Sequence, residues 1–143
     1  MELVKDNGQR IYAWVIGGLA ATGNFDDCPN TLTIGVRENN TIFAGIIYSK
    51  VGHVVYISIY TEHPKWCTPG ILTRIFKVGF ALGGICKAAT DAENNKINRL
   101  MKGLGLVKEG VLRRGRENGH DEIIWSLTEE EFATKRWNNV RSC

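Results

Sequence analysis

Few side chains in this 143-residue sequence stand where they could do chemistry together. Glu62 and His63 adjoin just ahead of Pro64, at the carboxyl end of an alternating strand. They could take up a proton, and they are equally the ordinary exposed residues of a turn. His53, His63 and His120 fall in separate turn regions with no HxxxH spacing and no clustered carboxylates, so the pattern predicts no metal site. Cys67 beside Trp66 would be a nucleophile only with a histidine next to it in space; a lone cysteine is more often inert and half-buried. Arg113, Arg114 and Arg116 cluster near a hairpin turn, where they could meet a phosphate or simply form a solvated loop end.

The elements that must position these residues read as a meander followed by alternating helices and strands. Runs 31–36 and 41–49 are β-rich and joined by Glu38-Asn39-Asn40, and Lys50-Val51-Gly52 leads into a third run over 54–61. That run alternates, with Val55, Ile57 and Ile59 on the core face against Tyr56, Ser58 and Tyr60. Thr68 suits a helix N-cap and Pro69 the first helical position, where a missing N–H costs little. The helix that follows puts Leu72, Ile75, Phe76 and Gly79 on one face and Thr73, Arg74 and Lys77 on the other. Gly83 and Gly84 stop it, and 85–90 reads as a short strand buried on both faces.

Asn94 and Asn95 open a second helix with Ile97, Leu100, Met101 and Leu104 on one side, ended by Gly103 or Gly105. Strands over 106–113 and 122–127 are joined through Asn118-Gly119-His120, and Thr128 with Glu131 makes a capping box for a last short helix. Ahead of all this, 9–20 reads as a helix weakened by Gly17 and Gly18, and 23–30 as turns.

Bulk properties narrow the class. A content of 43% hydrophobic and 23% charged residues is that of an ordinary globular domain, and the length fits one domain spanning 1–143. Folding at this size buries roughly two thirds of the surface the unfolded chain exposes, so neither disulfide nor structural metal is required. The four cysteines form no CxxC or ligand pattern, which predicts a reducing, cytoplasmic setting. No signal peptide and no membrane span is read. A net charge of +3 is too mild to argue for nucleic-acid binding.

The residues Asn94, Ile97, Leu100, Gly105 and Leu106 resemble the N-x-x-A-x-x-L-Y-x-x-x-G-F signature of the GNAT N-acetyltransferases, with matching spacing from Asn94 to Gly105. The last two strands and the Thr128-to-Phe132 segment continue the resemblance, which covers about 42–137. Trp66 ahead of the first helix, with the carboxyl-terminal pattern, is similar to small GNAT-like proteins of tailed phages. The resemblance implies an α/β (α+β) fold with a mixed, mostly antiparallel central sheet, flanking helices and a βαβ core. It further implies acetyl-CoA as co-substrate and transfer of its acyl group to an amine of a small molecule or protein.

Pyrophosphate binding would fall to the amides of Thr68, Gly70 and Ile71 at a helix start. The pantetheine arm would lie along Ile59, Tyr60 and Thr61, where the family's fourth strand carries a bulge. Asn94 would hydrogen-bond that arm or the neighbouring backbone, and Glu62 and His63 would act as the base. Met101 stands where the family has its tyrosine acid, and Glu109 borders the acceptor cleft. The alternative the same resemblance implies is a GNAT fold that has lost catalysis and acts as a structural or interaction protein, as a homo-oligomer or within a phage virion.

Overall fold

Two asparagines set the first hairpin. The computed structural model describes residues 2–5, 11, 14–15, 31–61 and 68–139. Strand β2 (Thr31–Glu38) turns into β3 (Thr41–Val51) through Asn39 and Asn40, both at positive φ, 51° and 66°. Two successive left-handed residues make a turn whose twist matches that of paired strands, and asparagine tolerates this conformation better than most residues. The predicted run 54–61 is β4 (Val54–Thr61), paired antiparallel with β3 along its whole length.

Helix α1 (Pro69–Leu82) then crosses the sheet and delivers the chain to β5 (Ile85–Asp91), which pairs with β4 in parallel. Helix α2 (Asn95–Leu104) leads to β6 (Val107–Leu112) and β7 (Glu122–Thr128), followed by α3 (Glu129–Ala133) and a 3-10 turn, Arg136–Asn139. Among the described residues one seven-stranded sheet forms, in the order β1-β2-β3-β4-β5-β7-β6, antiparallel at every junction but β4/β5. The mixed α/β arrangement with a βαβ core therefore stands as expected.

The edge strand β1 (Glu2–Lys5) was not anticipated. Four residues carry too short a pattern to read, and it exists by pairing with β2, helped by an exposed Arg37–Glu2 ion pair of 2.6 Å. Of the predicted helix over 9–20, Ile11, Trp14 and Val15 are helical and pack on Ile47; the remainder, like 23–30, lies outside the described residues.

The main core lies between the opposite sheet face and the helices. Ile46, Tyr48, Val55, Ile75, Cys86 and Leu127 are buried there, and the Tyr48 hydroxyl donates to the Ile75 carbonyl at 2.7 Å. A Cβ on Gly79 would come within 2.6 Å of Cys86 Sγ, so the missing side chain is what lets α1 sit this close to β5. Strand β5 is not buried on both faces as expected: Cys86 and Thr90 are buried but Ala89 is exposed. The reason is that α1 and α2 pack on the Cys86 and Ala88 side, whereas the Lys87 ammonium lies over the Tyr56 ring and Ala89 alternates with it on that other face.

Candidate functional site

A strand pair that is joined at one end and open at the other marks the candidate site. Parallel pairing of β4 with β5 consists of three partners, Val54↔Ile85, Val55↔Cys86 and Tyr56↔Lys87, whereas β3 accompanies β4 to Thr61. From Ile57 onward the β5-facing edge of β4 has no ladder. The bulge expected at this point is absent, since the β3/β4 register runs unbroken from Val51↔Val54 to Ala44↔Thr61. Strand β5 leaves β4 after three partners while keeping its pairing with β7 from Ile85↔Thr128 to Asp91↔Glu122, so the divergence needs no inserted residue.

Below the divergence lies a crevice of about 40 Å³ with an almost wholly apolar lining. Ile57 and Ile59 come from β4, Ala88 from β5, Phe76 from α1, and Leu100 and Met101 from α2. A void of this size left dry costs roughly 1 kcal/mol in lost packing. Ile59 thus faces the crevice, while Tyr60 points to the other face and meets Trp14 edge-on at 5.0 Å and 82°, the packing of a core aromatic. Thr61 ends the strand opposite Ala44. Glu62 and His63 follow directly and lie outside the described residues, as does Cys67.

The start of α1 was expected to offer Thr68, Gly70 and Ile71 to a phosphate. Thr68 is the N-cap, in an extended conformation (φ −100°, ψ 154°), with Pro69 at the first helical position. Its hydroxyl accepts from Ile71 N at 3.3 Å and its carbonyl from Leu72 N at 2.9 Å. At 3.3 Å the first of these is long for an N–H···O bond and is the easier to exchange. Pro69 has no N–H, so the Gly70 and Ile71 amides are what this end presents, with no acidic residue in the first turn to repel an anion.

Asn94 is confirmed as the N-cap of α2, its Oδ1 accepting from Ile97 N at 3.2 Å. That use leaves its amide N–H₂ facing solvent, since Asn94 is exposed. A second asparagine, not singled out from the sequence, does more to hold the helix. Asn98 Nδ2 donates to the Asp91 and Ala92 carbonyls at 3.0 and 3.3 Å; its Oδ1 accepts from Thr90 Oγ1, which in turn accepts from Trp125 Nε1 at 2.9 Å. No local pattern in the sequence marks it, since its partners are Thr90 and the Asp91 and Ala92 carbonyls at the end of β5 and just beyond.

The expectation that the histidines stand apart from carboxylates fails for His120. Its Nδ1 lies 2.9 Å from Asp91 Oδ2 and its Nε2 2.5 Å from Glu93 Oε2. Asp91 also accepts from Glu93 N at 2.9 Å and Asn118 Nδ2 at 3.0 Å, and chiefly these hydrogen bonds hold its carboxyl down at about 2. The hydrogen bond to Asp91 raises the His120 value, with the neighbouring carboxylates adding to it. The three groups bring one polar atom each within 4.8 Å of the others, with both ring nitrogens already engaged by carboxylates. Sequence spacing missed this because the partners come from two connections 27 or more residues apart that meet only across the sheet.

Other candidates are placed by their surroundings. Cys86 is buried, and burial pushes its thiol up to about 12, which makes it inert as a nucleophile. Glu109 is the extra residue of a bulge in β6 and accepts from Ser126 Oγ at 2.6 Å. Arg116 pairs with Glu122 at 3.2 Å, while Arg113 and Arg114 are exposed. Among the described residues no helix is long and apolar enough to cross a membrane.

No family model matches the chain, and no curated protein matches it in sequence. Solved structures do. A chimera of the Vibrio cholerae spermidine N-acetyltransferase SpeG and its human counterpart superposes at a TM-score of 0.77, with 10% identity over 94% of this chain and 100% of that one. Mycobacterium smegmatis RimJ, solved in complex with CoA-disulfide, gives 0.70 and 14% over 94% and 85%. A ribosomal-protein-alanine acetyltransferase from Vibrio fischeri gives 0.60 and 21% over 71% of this chain, which spans 63% of that protein's length. At these identities the likeness is one of fold, and the fold is that of the GNAT acetyltransferases.

Proposed function

We propose that the chain is an acyl-CoA-dependent N-acyltransferase that takes acetyl-CoA at the β4/β5 divergence and passes the acyl group to an amine. The observation that carries this is the three-partner parallel ladder, which ends at Tyr56↔Lys87 and lets β5 leave β4 above an apolar crevice lined by Ile57 and Ile59. An extended amide-bearing arm fits such an edge as an added strand. Gly70 and Ile71 N–H groups would face the pyrophosphate, the latter by giving up its long bond to Thr68, and the free Asn94 amide would donate to a carbonyl of the arm.

Bound there, the cofactor supplies a thioester carbonyl open to attack. Glu62 and His63, next along the chain from Thr61, would take the proton from the attacking ammonium. Met101 cannot donate a proton to the leaving sulfur. The chemistry tolerates that, because a thiol with a value of about 8.5 leaves as thiolate near neutral pH and collects its proton from water. The amine acceptor is a small molecule or a protein; spermidine and protein alanine are named for structures of this fold.

A second reading is favoured by Met101 and by the Thr68 cap on Ile71: a GNAT fold that no longer catalyses and serves as a structural or interaction component, in a phage particle if the looser resemblance is followed. Ligand-induced stabilisation separates the two. Acetyl-CoA at a hundredfold excess over its dissociation constant should add about 2.7 kcal/mol to unfolding, and release of free thiol with a panel of amines should follow. No stabilisation overturns the transferase reading. Stabilisation with no thiol release for any amine class favours the second.

A further inference from the structure

We infer that protonated His120 is a pH-operated clasp that fastens the β6–β7 connection, residues 113–121, to the loop 91–94 that leads into α2. The ring lies between two carboxylates on that loop, with Nδ1 at Asp91 and Nε2 at Glu93. Two carboxylates at two ring nitrogens require two N–H donors, and only the imidazolium has both. On losing a proton, one nitrogen turns a lone pair toward a carboxylate oxygen and that contact becomes repulsive. A divalent cation would have to displace contacts already made at each ring nitrogen, so the arrangement suits a twofold donor first.

Among the described residues, the charged groups that act on His120 are carboxylates. Asp91 and Glu93 come from the opposite loop, and Asp121 from its own connection adds negative charge beside it. Asn118 bridges, donating to Asp91 Oδ2 while its Oδ1 accepts from His120 N at 2.9 Å. Of the three arginines of the connection, Arg113 and Arg114 are exposed, and Arg116 donates its backbone N–H to the His120 carbonyl but turns its guanidinium to Glu122. The ring's raised value follows from this surrounding, and the charged clasp is complete below about 6.5 and weakens as pH rises through that raised value.

The closed connection also carries two features that opening relieves. Arg114 sits at φ +54°, a left-handed conformation unfavourable for a residue with a long side chain, and Arg116 Nε is buried without a hydrogen-bond partner. A loop so held has a second state within reach once one contact turns repulsive. Its release frees the segment that positions Asn94, the cap of α2.

The test uses the whole protein without any ligand, so its outcome is separate from that of the acyl-transfer reading. The His120 ring is titrated by NMR while amide protection factors, corrected for intrinsic exchange, are followed at Ala92 and Arg116, whose N–H groups bond to Asp121 and His120 carbonyls. Protection at both amides should fall about tenfold through the His120 titration, which should lie above 6.5. In Glu93→Gln the titration should move down and the pH dependence shrink, and in His120→Gln protection should be independent of pH. Titration at or below 6.5, protection unchanged through it, or protection abolished by a chelator in place of base would each overturn the clasp.

Discussion

The two helices that wall the crevice are held by different physics. Helix α1 is fixed by packing: Ile71, Leu72, Ile75 and Phe76 are buried, and Phe76 joins Phe80, Phe132 and Trp137 in one aromatic group with ring centroids 5.2–6.3 Å apart. Helix α2 has no fully buried residue, and its Met101 and Leu104 pack against the core only partly covered. It is held by polar attachments at its first turn, by the Trp125–Thr90–Asn98 chain, and by Trp137 Nε1 donating to the Leu104 carbonyl at its end. Packing energy is spread over many atoms and gives a rigid wall, whereas a few directional bonds can be exchanged one at a time. The crevice therefore has one fixed and one adjustable side.

Substitutions can break that contrast. Phe76→Ala removes the centre of the aromatic group and should cost about 3–5 kcal/mol in urea unfolding, with little dependence on pH. Asn98→Ala leaves the Thr90 hydroxyl and the Asp91 and Ala92 carbonyls short of partners and should cost about 1–3 kcal/mol, with exchange accelerated in α2 and not in α1. If Asn98→Ala loosened both helices equally, the division between a packed and a tethered wall would fall.

Smaller effects sharpen the same picture. Thr68→Ala removes the cap of α1 and should cost about 1 kcal/mol, yet it frees the Ile71 amide, so affinity for acetyl-CoA should be kept or improved while stability drops. Asp91→Asn should flatten the acid limb of the stability curve. The Asp91 value is lowered in the fold from 3.8 to about 2, so its contribution is full above about 3.8 and is lost as pH falls through about 2. In the variant that limb should be shallower by urea unfolding between pH 4 and 2; an unchanged limb would show that the loop is held without the carboxylate.

How far the sequence disclosed this molecule follows the same division. Packing announces itself by periodicity, so α1, β4 and the strands of the meander were legible with their caps and turns, down to Thr68, Pro69 and the Thr128–Glu131 box. Tethers do not. Asn98 and His120 carry no local pattern that marks them, because their partners, Thr90, Asp91 and Glu93, become neighbours only when β5 and β7 pair. The divergence of β4 from β5 was expected from a bulge and arises from a short ladder, a feature of pairing that no single strand's sequence records. Glu62 and His63, next in sequence after β4, lie outside the described residues.

In the proposed site acetyl-CoA would lie along β4 beyond its ladder with β5, between a fixed α1 and a yielding α2. Amide hydrogen exchange with and without saturating acetyl-CoA tests this most directly. Protection should rise at 57–61 and through α2 by about tenfold or more, and stay level at Ile75 and Phe76 within α1. Stabilisation of the protein with exchange at 57–61 unchanged would place the ligand elsewhere and contradict the account.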